Sequence, residues 1–156
     1  MPASAENLRD LHALHRRAKA LRDMLVSGPK TLASRQQVRT GRQASLEQAK
    51  KALQDERVAV KKREHALQGQ QAKIDDLKVK LNTARKNEEY RAIQNQIAHD
   101  QKSIEKLELE ILESMMKVDE LAAQVTALET DVSKTTADVA ELEGRVHSQA
   151  SDHESQ

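Results

Sequence analysis

The side chains here that could do chemistry are histidines, carboxylates and clustered bases, and their spacing limits what each can do. His12 and His15 stand three apart, so on a helix they share a face and could fill two corners of a zinc site. No third ligand lies at a matching interval nearby, and a chain with 0 Cys has no thiolate to offer. They read as solvated histidines, and His65, His99, His147 and His153 read as surface or tail positions. No glycine-rich phosphate loop and no nucleophile elbow occur in the sequence. Carboxylates are plentiful, but a helical rod has no concavity that would desolvate a pair of them for acid–base work. Catalytic residues, a metal site and a cofactor are therefore not expected.

Two other groups of residues point to binding. Lys61-Lys62-Arg63 is a basic run, and Arg16 and Arg17 open a basic patch with Lys19 and Arg22. Such residues could neutralise phosphates in a salt-sensitive, sequence-blind contact with RNA or DNA. No aromatic platform for bases accompanies them apart from Tyr90, the single aromatic residue of the chain. Tyr90 belongs to the second group, Arg85, Lys86, Asn87, Glu89, Tyr90, Arg91 and Ile93. Tyr and Arg are anchor types at protein interfaces. The plainer reading is that Tyr90 plugs the end of an apolar seam.

The elements that must position these residues are helices. Of 156 residues, 33% are charged, 37% hydrophobic and 1% aromatic, with 4 Gly and 2 Pro. That leaves too few rings for an ordinary globular core and too few turns for a sheet fold, and it matches long helices or coiled coil. From Tyr90, β-branched residues recur every seven positions through Ile97, Ile104, Ile111, Val118, Val125, Val132, Val139 and Val146. A second row runs Ile93, Asp100, Leu107, Ser114, Leu121, Leu128, Thr135 and Leu142. These are the a and d positions of a heptad seam, which buries itself only against another helix. Over residues 87–147 it spans roughly 90 Å. Asp100, Ser114 and Thr135 interrupt the d row and are expected to fix register.

The preceding segment carries a weaker row, Leu46, Leu53, Val60, Leu67, Ile74 and Leu81, with Ala52, Ala59 and Ala66 beside it. Its d row, including Glu56, Arg63 and Gln70, is largely polar, which predicts a narrow Ala-lined seam. Residues 82–87 favour a turn, with Asn87 capping the next helix and Glu88 and Glu89 suiting its dipole. Folding there sets Ile74 against Ile97, Val60 against Ile111 and Leu53 against Val118. The match predicts an antiparallel hairpin. Residues 1–87 hold 20 Lys+Arg against 9 Asp+Glu and residues 88–156 hold 6 against 16, so a basic arm would lie beside an acidic one and neutralise it.

At the front, Leu11, Leu14, Ala18, Leu21 and Leu25 form one stripe of a shorter helix. Ser27-Gly28-Pro29 is expected to break it, the helix either folding back or continuing past a kink. The domains expected are 1–29 (helix and break), 30–147 (hairpin with its tip near 82–87) and 148–156 (frayed polar tail). The opening residues are polar and no long apolar stretch occurs, which predicts a cytoplasmic protein without membrane contact.

Lys86-Asn87-Glu88-Glu89-Tyr90-Arg91-Ala92-Ile93-Gln94-Asn95-Gln96-Ile97, followed by Leu107-Glu108-Leu109-Glu110-Ile111-Leu112-Glu113, resembles the bacterial C4-type zinc-ribbon family. Ile93 stands where the family usually has Leu, and Gln96 where it tends to have Glu. The resemblance spans roughly residues 5–147 and implies a coiled-coil hairpin serving as a cytoplasmic adaptor. It further implies partners such as an alternative sigma factor of flagellar genes, secretion-apparatus proteins or RNA, met through Asn87, Glu89, Tyr90 and Ala92. Family members hold zinc in a C-terminal ribbon of two Cys-x-x-Cys pairs. This chain has 0 Cys, so that cofactor is not expected here.

The resulting expectation is an all-α fold, a long antiparallel coiled-coil hairpin with a short additional N-terminal helix. Its expected role is non-catalytic: a scaffold or adaptor presenting its tip to a protein partner. The alternatives are an RNA- or DNA-binding accessory protein using Arg16, Arg17, Lys61, Lys62 and Arg63, or a structural spacer. Homo-oligomers are compatible with each.

Overall fold

A computed structural model describes the backbone of residues 2–155 and the side chains of residues 4–152. The chain is all-α, a helical hairpin of α1, Pro2–Thr83, and α2, Asn87–Ser155. Among the described residues there is no strand, and no helix is long and apolar enough to cross a membrane. Contacts group the chain into two units, residues 1–46 with 127–156 and residues 47–126, each containing a stretch of both helices.

In the unit of residues 47–126, the seam forms along the expected rows. Leu53 and Ile74 of α1 are buried, as are Ile111 and Val125 of α2. The d row of α1 turns inward with them, so Glu56, Arg63 and Gln70 are half-buried, while Ala52 and Ala66 lie outside. Of the expected Ala lining, Ala49 and Ala59 are half-buried, and long polar side chains fill the rest of the α1 side. Their stems can cover apolar surface while their heads reach polar partners. In the unit of residues 1–46 and 127–156, Leu46 and Val139 are buried, and Val139 is fully enclosed at 0% exposure.

Three sequence-based expectations need correction. First, Ser27-Gly28-Pro29 is no break: α1 runs through Pro29, so there is no separate N-terminal helix. Pro29 removes one backbone donor and crowds the carbonyl four residues back, but the Thr31 hydroxyl donates to the Ser27 carbonyl at 2.9 Å. Gly28 faces α2, where a Cβ would stand 3.3 Å from Val146 Cγ2. The small residue lets the helices approach, and that packing holds the segment helical. Second, the tail is not a separate element. α2 continues to Ser155, with Gln149 Nε2 directed at Met24 Sδ, 4.0 Å away.

Third, the register is displaced. Glu56 meets Lys117, not Met115, and Arg63 meets Ser114, not Glu108. Val60 shares a groove with Met115 and Val118. In the other unit, Gln36 donates to Glu143 and Arg42 to Thr135. Each α2 partner lies further along the chain than apolar row-matching predicts. The heptad repeat fixes which face is buried, but sliding by part of a repeat still leaves apolar rows in contact. The polar side chains select among those registers.

Candidate functional site

The tip is built from Ala84, Arg85 and Lys86, shorter than the expected 82–87. α1 closes without a left-handed residue. Thr83 Oγ1 donates to the Lys80 carbonyl at 3.1 Å and Ala84 N to the Leu81 carbonyl at 3.4 Å, so two of the last orphan acceptors are satisfied. Lys80 lies in the last turn, where a cation suits the negative end of the helix dipole. Tyr90 N donates to the Lys86 carbonyl at 3.0 Å, which makes Lys86, not Asn87, the N-cap residue of α2. Asn87, Glu88 and Glu89 fill the first turn, where the two carboxylates meet the positive end of the dipole.

Of the expected tip residues, Arg85, Lys86, Asn87, Glu89, Tyr90 and Arg91 are all exposed, and Ile93 is half-buried as the first d residue of the seam. Tyr90, at the end of the a row, is 41% exposed. The structure therefore brings together cations, an acid, an amide and the lone aromatic on three residues of turn and one turn of helix.

The basic residues divide. Arg16, Arg17, Lys61 and Lys62 are exposed and have no ion-pair partner among the described residues. Arg63 is different. It is half-buried, donates to Ser114 Oγ, and lies 3.8 Å from Glu56 Oε1. Lys117 Nζ stands 3.7 Å from Glu56 Oε2, completing a chain of four polar groups across the seam. Arg63 is thus a seam residue, its guanidinium engaged by Ser114 and Glu56 while part of the side chain stays exposed. Among the described residues, the ion pair joining α1 to α2 has its acid on the basic helix and its base on the acidic one.

The expected polar interruptions are all buried: Asp100, Ser114 and Thr135. Two receive an arginine from α1, and Arg42 Nη1 reaches Thr135 Oγ1 at 2.7 Å. Asp100 instead accepts from Gln96 Nε2 of its own helix at 3.0 Å. Arg42 is the residue missed by sequence reading. It lies one heptad before Ala49 in the polar d row, and continuing that row upstream would have found it.

Also missed was an outward apolar stripe on α2, Leu109, Leu112 and Met116, with Met115 beside it. None belongs to the a or d rows, so their 3, 4 spacing off the seam was the available signal. Met115 additionally lines an open groove of about 490 Å³ with Val58, Val60, Lys61, Val118 and Asp119. Among the described residues, no three His, Cys, Asp or Glu side chains gather closely enough to hold a metal ion.

No known family model, no curated protein and no solved structure matches this chain.

Proposed function

We propose that the chain is a non-catalytic adaptor that presents the tip of its helical hairpin to a protein partner. The observation that carries this reading is the exposure of Tyr90, the one aromatic residue, among Arg85, Lys86, Asn87, Glu89 and Arg91. An aromatic that keeps 41% of its surface exposed beside a turn has area left to bury against a partner. The resemblance of residues 86–97 to the tip of C4-type zinc-ribbon proteins supports the same residues, and it suggests partners in transcription or in flagellar and secretion machinery of a bacterial cytoplasm. Purification of bound partners by the wild-type chain and by Tyr90→Ala, both checked for helicity, tests it. A partner retained undiminished by Tyr90→Ala contradicts the tip reading.

A second reading, nucleic-acid binding, is favoured by Lys61, Lys62, Arg16 and Arg17, which are exposed and lack ion-pair partners among the described residues. It requires RNA affinity that falls steeply with salt and is lost in Lys61→Glu/Lys62→Glu. Arg63→Glu does not test it, because that change breaks the seam. If neither set of substitutions alters any binding, the spacer role is favoured.

A further inference from the structure

Asp100 and Gln70 are poorly satisfied polar residues on facing rows of one seam. Asp100 is buried, and the hydrogen bond it accepts comes from Gln96 of its own helix. Gln70 is half-buried, and its Oε1 is buried without a hydrogen-bond partner among the described residues. An amide N–H donates well to a carboxylate, so what separates these two groups is the register. Matching apolar row to apolar row, with Ile74 level with Ile97, puts Gln70 within one residue of Asp100 and sets Leu81 level with Tyr90. The structure holds the helices elsewhere. Glu56 meets Lys117, two residues beyond Met115, and Arg63 meets Ser114, six beyond Glu108. The displacement averages about half a heptad, ~5 Å along the axis. It carries Leu81 past Tyr90, and Tyr90 is left beside the turn, 41% exposed.

We propose that α1 slides on α2 between the observed register and the row-matched one, and that the slide uncovers or covers Tyr90. Both registers keep the same rows inward, so neither requires the helices to unfold. Register shifts of packed helices are microsecond-to-millisecond motions. The observed register gains the arginine bonds to Ser114 and Thr135. The row-matched register gains an amide–carboxylate bond from Gln70 to Asp100 and a ring packed on Leu81. A difference of a few hydrogen bonds leaves the row-matched register a minor state of about 0.1–10%. A partner that grips Tyr90 binds the observed register alone and draws the chain towards it. That consequence rests on the tip reading; the slide itself does not.

Ile74→Cys with Ile97→Cys reads the minor register directly, because the chain has 0 Cys of its own. Row matching sets the pair level, whereas a displacement of ~5 Å along the axis takes it outside the Cα separation of up to ~7 Å that a disulfide spans. In a glutathione redox buffer a small fraction of the full chain should form the intramolecular disulfide. Adding Arg42→Leu and Arg63→Leu should raise that fraction about tenfold, and adding Asp100→Leu instead should lower it about tenfold. Tyr90 is the only Tyr in a chain with 0 Trp, so its fluorescence reports the tip alone. Acrylamide should quench it about twofold less in the oxidised chain than in the reduced one. Leu67→Cys with Ile104→Cys, level in the same register, is the second pair should the first lose helicity. A pair that never oxidises, a yield indifferent to these substitutions, or a disulfide that leaves Tyr90 as quenchable as before overturns the inference. The tip reading stands or falls separately, on Tyr90→Ala.

Discussion

Val139 and Asp100 occupy neighbouring kinds of seam position and make opposite contributions. Val139 is wholly enclosed, and removing its two methyl groups leaves a void that helices flanking a seam cannot fully close. Val139→Ala should cost about 2 kcal/mol in chemical unfolding. Asp100 is buried with a single hydrogen bond, from Gln96 on its own helix. Burying a carboxylate with so few partners is costly, and apolar replacements at such sites often stabilise. Asp100→Leu should raise stability by about 1–3 kcal/mol, read as a higher unfolding midpoint; a lower midpoint would show that Asp100 has a cross-seam role. Ser114 and Thr135 differ, because each receives an arginine from α1.

At the scale of the element, α1 tolerates residues that usually end helices. Pro29 costs about 3 kcal/mol of intrinsic helix stability, yet the helix continues on both sides of it. Pro29→Ala should slow amide exchange from about residue 18 to residue 35, measured by mass spectrometry, by restoring one backbone hydrogen bond. The glycines separate by environment. A Cβ at Gly41 or Gly69 meets nothing within 4 Å, whereas at Gly28 it meets Val146 and Gln149. Gly41→Ala and Gly69→Ala should each stabilise by about 0.5–1 kcal/mol. Gly28→Ala should gain less, because Val146 must shift to admit the methyl group.

At the scale of the whole molecule, helix pairing owes little to direct ion pairing. Exposed pairs such as Arg145–Glu141 lie within one helix, and among the described residues the cross-helix pair is Lys117–Glu56. Surface pairs contribute at most about 1 kcal/mol each. The midpoint of thermal unfolding should therefore move by only a few degrees between about 0.1 and 1 M salt. A large loss would show that the opposite net charges of the two arms hold the hairpin closed. Because the chain has 0 Cys, the antiparallel register can be trapped directly. Gly28→Cys with Val146→Cys should oxidise to an intramolecular disulfide, seen as a faster-migrating monomer on non-reducing gels.

The sequence by itself determined that the chain is helical, that it turns within residues 82–87, and which rows face inward on α2. These are local matters: propensity, a break in the helical pattern and a repeat of seven are written in consecutive residues. Four features came only from the tertiary structure: the register, the place of Arg63 in the seam, the exposure of Tyr90 and the continuity of α1 through Pro29. Each depends on what the opposite helix places alongside. A repeating apolar seam is nearly indifferent to small slides, so Arg42 and Arg63, finding Thr135 and Ser114, decide among alignments that the hydrophobic pattern leaves close in energy.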